Sequence, residues 1–130
     1  MAYEIQGFKG NFIAGEDLST KQYVFVKLSA ANTVVACTAA DDIPMGVLQN
    51  APYSGLAAEV MVSGLTKVKS NTALTVGWFV GPAATTGKAE RKIIGTATTE
   101  YAVGTVVEAT TGSSGIATIT LNCFNPPRAK

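Results

Sequence analysis

The sequence predicts an all-β fold, a small β-sandwich or β-barrel-like domain with an extended N-terminal arm. Three observations carry that reading. Short β-branched and aromatic runs recur along the whole chain, and clusters of Gly, Pro, Asn, Asp and Ser separate them. No window of a dozen residues keeps apolar positions at helical spacing without Gly, Pro or a β-branched cluster breaking it, which leaves at most one helical turn around residues 71–76. At 130 residues the chain suffices for one domain, which at that size buries roughly two thirds of its unfolded surface and needs no disulfide or metal to fold.

Residues 1–15 hold Tyr3, Ile5, Phe8, Phe12 and Ile13 among Gly, Lys and Gln without a clean period. An isolated segment of that size cannot bury these groups by itself. It is either an edge strand of its own domain or an arm whose aromatics dock on a neighbouring protein. We read an arm over 1–15, a β domain over 16–124, and a tail over 125–130, where Pro126 and Pro127 cannot continue a strand.

Within the β domain, residues 23–28 put Val24, Val26 and Leu28 on one side and Tyr23, Phe25 and Lys27 on the other, so this strand is expected to be buried on both faces. Further short strands are expected at 34–38, 45–49, 58–62, 65–69, 78–80, 91–97 and 105–109. Turns are expected at Asp41-Asp42, 50–55, Ser70-Asn71, Gly81-Pro82, Thr86-Gly87 and 110–115. The clearest strand is 116–124, where Ala117, Ile119, Leu121 and Cys123 alternate with Thr118, Thr120 and Asn122. Two echoes, residues 74–80 against 101–107 and 54–57 against 114–117, each place a Gly where the chain turns before it extends. They arise by chance in a Gly, Ala, Thr and Val rich sequence or mark two similar β-units packed on each other.

Composition narrows the function. Hydrophobic residues make up 47% and charged residues only 15%, well under the usual quarter, so part of the surface is expected to be covered by something else. The net charge of +1, with cations dispersed except between Lys88 and Lys92, argues against a nucleic-acid partner. No secretory signal and no apolar run of roughly 20 residues is visible, so a cytosolic, non-membrane protein is expected. In that setting Cys37 and Cys123 are expected as small buried hydrophobes, with Cys123 on the core face of its strand; a disulfide between them stays open.

Candidate chemistry is sparse. With no His, the commonest acid–base group and metal ligand is missing. The adjacent pairs Glu16-Asp17 and Asp41-Asp42 sit in turns and read as solvated punctuation rather than as a glycosidase pair. No calcium-loop or zinc spacing occurs, so no metal and no cofactor are expected. Gly-rich 111–115 has no following Lys-Ser or Lys-Thr and reads as a turn rather than a phosphate cradle. Trp78 beside Phe79 offers a sugar-stacking platform, or a core or interface anchor. A non-catalytic structural protein is the expectation.

The order of several runs then matters: Gly15-Glu-Asp-Leu-Ser-Thr-Lys-Gln-Tyr-Val-Phe-Val-Lys-Leu28, Asp42-Ile-Pro-Met-Gly-Val-Leu48, the Gly-bounded strand from Gly55 through Val62 to Gly64, Leu74-Thr-Val-Gly-Trp-Phe-Val80, and Tyr101-Ala-Val-Gly-Thr-Val-Val-Glu-Ala109. In that order they resemble the capsid decoration, or cement, proteins of tailed bacteriophages, over most of residues 15–122. The resemblance implies a virion protein made in the host cytoplasm that binds the outside of the head, contacts the major capsid protein, commonly forms homotrimers at local three-fold positions, and reinforces the shell against internal DNA pressure. It fixes no functional residue. Tyr3, Ile5, Phe8, Phe12 and Ile13 are the capsid-binding candidates through the arm reading. A tail-tube or baseplate component and a carbohydrate-binding adhesion module are the other classes kept open.

Overall fold

A computed structural model describes residues 5–109, 115–124 and 126–129. Its longest element fuses two of the expected strands, 58–62 and 65–69, into one strand of 13 residues that runs through Gly64 at φ 123°. Among the described residues there are nine strands and no helix: β1 (Ile5–Ala14), β2 (Phe25–Ala30), β3 (Thr33–Ala36), β4 (Gly46–Leu48), β5 (Ala57–Lys69), β6 (Phe79–Pro82), β7 (Ala89–Arg91), β8 (Gly104–Glu108) and β9 (Ile116–Asn122). All nine belong to one sheet, and the fold is all-β as the sequence predicts.

β5 organises that sheet. Val60 and Met61 pair with β1 on one edge and with β4 on the other, while Ser63, Gly64 and Leu65 pair with both β1 and β9. β4 and β9 therefore follow one another along the same edge of β5. Pairing then runs β5–β4–β2–β3–β1 and back to β5, closing a five-stranded, barrel-like ring with one parallel contact between β1 and β3. The other half runs β5–β9–β8–β6–β7, and Ala89 of β7 returns to the end of β5 through a bridge to Ser70.

The two halves share a wall made of β2, β4 and β5. Because side chains alternate along a strand, Val26, Leu48 and Val60 face one core and Phe25, Val47 and Met61 face the other. The first core also takes Ala14, Leu18, Val34, Ala36 and Ala58, with Phe12 packed against it. The second draws on Val68, Val80, Val106, Ala117, Ile119, Leu121 and both cysteines. Double burial of the strand expected at 23–28 thus holds for Phe25 and Val26. It fails at Leu28, which is exposed beyond the wall, and at Tyr23, whose φ of 65° keeps it outside the strand.

Other expectations shift for local reasons. Residues 91–97 do not form a strand: β7 ends at Arg91, and the amides of Thr96 and Ala97 fold back onto the Ile93 carbonyl at 3.1 and 3.0 Å. Gly81 and Pro82 lie in β6 rather than in a turn, and Pro82 pairs only toward β7, where its missing N–H is tolerated. The first echo does not mark a repeated unit, because Gly77 (φ 92°) turns the chain whereas Gly104 sits in β8, where a Cβ would lie 2.4 Å from the Thr120 carbonyl. The turn expected at 110–115 lies outside the described residues apart from Gly115. In the tail, Ala129 is buried and its amide donates to the Glu100 carbonyl at 2.9 Å.

Among the described residues one charged side chain is fully interior. The Lys92 ammonium, with no side-chain exposure, donates to Glu100 Oε1 at 2.5 Å, Glu90 Oε2 at 2.8 Å and the Pro82 carbonyl at 2.8 Å, with the Ala40 carbonyl at 3.4 Å. Burying an ammonium costs several kcal/mol unless partners of this kind replace water. Lys92 thereby ties together β6, β7, the stretch before β8 and the loop after β3.

Because Phe12 packs on the first core, Phe12→Ala is expected to lower the unfolding free energy by about 2 kcal/mol. Phe8→Ala, which removes an exposed ring, is expected to cost less than about 1 kcal/mol. Urea titration of the two variants measures both.

Candidate functional site

The five capsid-binding candidates are separated by the fold. Tyr3 lies outside the described residues. Ile5 pairs through its backbone with Leu65 at the start of β1. Phe12 turns inward onto the first core. Phe8 and Ile13 remain outside, 65% and 49% exposed. Of the two readings of this segment, arm or edge strand, residues 5–14 form a strand paired with β5 along its length and with β3 only at Ile13 and Ala14. At about 3.3 Å per residue, Phe8 and Ile13 lie roughly 16 Å apart along it.

Phe8 is displayed by a defect in the ladder. Register shifts flank it, between Gln6 and Phe8 and between Phe8 and Lys9. At the preceding Gly7 a Cβ would lie 2.2 Å from the Ser63 carbonyl oxygen, so only glycine lets β1 approach β5 there. The bulge hands Phe8 to solvent, where its ring meets Phe124 edge-on with centroids 5.2 Å apart and planes at 80°. Phe124 is itself 62% exposed. The two rings cover each other in part, and an aromatic pair left this open is a ready anchor for another surface.

Phe124 is a residue that the sequence reading missed. The signal was present, because in the strand where Ala117, Ile119, Leu121 and Cys123 point inward, position 124 falls in the outward register with Thr120 and Asn122, both exposed, although Thr118 of the same register is buried. Beside it, Leu28, Ile43, Pro44, Met45, Cys123 and Pro126 line an apolar cleft of about 320 Å³. Cys123 and Pro126 lie one and two positions from Phe124 in sequence.

The loop that supplies Ile43, Pro44 and Met45 is fixed by Asp42. Its Oδ2 accepts from the amides of Thr38 and Ala39, both at 2.9 Å, and from Lys27 Nζ at 3.0 Å. Burial by itself would push this carboxyl up, but the Thr38 amide, the Lys27 ammonium and the Ala39 amide outweigh it and hold its pKa below the ordinary 3.8. On the neighbouring β1, Lys9 pairs with Glu59 at 2.9 Å. Lys9, Glu59, Lys27 and Asp42 are thus paired within the chain.

The remaining candidates have other employment. Cys37 and Cys123 are buried and free, and burial pushes both thiols up to about 12, so at neutral pH they are protonated and inert. Trp78 packs against the second core, and the Arg91 guanidinium sits 4.2 Å over its ring, which leaves little open face for a sugar. Glu16 accepts from the Ala36 amide at 3.0 Å, and Asp17 caps the Ser19 amide at 3.0 Å. Among the described residues no three His, Cys, Asp or Glu side chains gather.

No protein-family model and no curated protein matches this chain. Among solved structures it is similar to the crystal structure of the head fiber gp8.5 N base of bacteriophage phi29, with a TM-score of 0.62 over 89% of this chain and 94% of that one. Sequence identity is 14%, so the likeness is one of fold.

The Asp42 clasp makes a pH prediction. A carboxyl whose pKa is lowered on folding contributes stability that is complete above its unfolded value and disappears as pH falls through the folded one. Asp42→Asn is expected to be less stable than the wild type by about 1.5 kcal/mol at pH 7. The gap should close below pH 3.8. Denaturant titrations across pH measure it.

Proposed function

We propose that this chain is a structural component of a tailed-phage head, a decoration protein that binds the outer surface of the shell. The observation that carries the proposal is the fold it shares, over 89% of its length, with the base of a phage head fiber. The chain's own surface supports it: an exposed aromatic pair and an apolar cleft provide contact area.

In this reading Phe8 and Phe124, with the cleft beside them, contact the major capsid protein. The protein acts as a homotrimer at local three-fold positions, because a decoration protein needs area and symmetry rather than a reaction. Each subunit then binds modestly, and three linked contacts raise the effective concentration of the second and third. Bridging several capsid subunits resists the outward pressure of packaged DNA. In this reading docking goes through exposed side chains, Phe8 and Phe124 above all, rather than through strand addition.

Co-sedimentation tests the proposal, using expanded heads of the phage that encodes the chain, prepared without it. Saturable binding is expected, with bound copies in multiples of three per occupied position. Replacing both Phe8 and Phe124 by Ala should weaken it by roughly 30-fold or more, the size of a lost hot spot. Failure of the wild-type protein to bind such heads, with rings or tubes forming instead, would overturn the decoration reading in favour of a tail component.

A further inference from the structure

We propose that Lys92 and Glu100 form an intramolecular amide cross-link, with Glu90 as the group that transfers the protons. The reacting atoms are already gathered: Lys92 Nζ lies 2.5 Å from Glu100 Oε1 and 2.8 Å from Glu90 Oε2. Water is kept from the amine, whose side chain has no exposure, while the Glu100 side chain retains 25%, an exit for a released water.

Both backbones are held. The Lys92 amide donates to the Phe79 carbonyl at 2.8 Å, the Glu100 amide to the Ala97 carbonyl at 3.0 Å, and the Glu100 carbonyl accepts from Ala129 at 2.9 Å. Nζ is also aimed from behind by the Pro82 carbonyl at 2.8 Å. Holding an amine and a carboxyl at contact distance in a fixed orientation replaces a bimolecular encounter, an effect that reaches effective molarities of about 10⁵ M or more.

The step balances without a co-reactant. Lys92 passes a proton to Glu90, and the freed nitrogen lone pair attacks Glu100 Cδ to form the C–N bond. One Glu100 oxygen leaves as water with two of the three ammonium protons, the third stays on the amide nitrogen, and Glu90 returns to its starting state. One positive and one negative charge disappear together, which removes the burden of keeping an ammonium in the interior.

Intact-mass measurement of the folded full-length protein tests this directly. The cross-linked chain is expected to weigh about 18 Da less than its sequence, one water. The deficit should map to a fragment containing both residues, with trypsin no longer cutting after Lys92. Glu90→Gln, checked for native structure by circular dichroism, is expected to keep the full mass. A wild-type protein at full sequence mass would overturn the proposal, and so would a deficit that persists in Lys92→Met.

Discussion

Everything in this molecule depends on a wall that is buried on both faces. β2, β4 and β5 carry Phe25, Val47 and Met61 toward one core and Val26, Leu48 and Val60 toward the other. With a side-chain period of two, a slip of one residue in any of the three would exchange the faces and disturb both cores at once. Gly46 helps to pin that register, because a Cβ there would lie 2.2 Å from the Met61 carbonyl oxygen. The long β5 gives each half a common edge, and from this the closed pairing of both follows.

The same economy shapes the exterior. Several of the chain's few charges serve internal tasks: Lys92 joins four segments, Asp42 fixes a loop, and Lys9 meets Glu59. What the surface offers a partner is therefore apolar shape. Gly7 and the bulge it permits turn Phe8 outward, and the end of β9 brings Phe124 to meet it. A surface of this kind suits attachment to a large assembly, in which many modest contacts act together.

Much of the fold was legible because burial follows alternation. The core face of 117–123 read correctly, as did the double burial of Phe25 and Val26, since each rests on a local pattern, whereas Thr118, expected on the polar face, is buried. The fusion of two strands through Gly64 was not legible, because Gly between β-runs usually signals a turn, and only pairing with β1 and β9 carries the strand across it. In sequence Lys92 stood only at the end of a short basic stretch and within a strand expected at 91–97, and its burial depends on Glu100 and Pro82, eight and ten residues away. Phe8 and Phe12 look alike in sequence. The bulge between them decides which one faces the core, and a bulge has no clear signature beyond a glycine.

Cryo-imaging of heads decorated with this protein, resolved to side chains, tests the central claim most directly. The account predicts Phe8 and Phe124 buried against the shell, with Ile43 and Pro44 of the cleft beside them. An attached protein that leaves the Phe8–Phe124 pair in solvent and meets the shell through another face would contradict it.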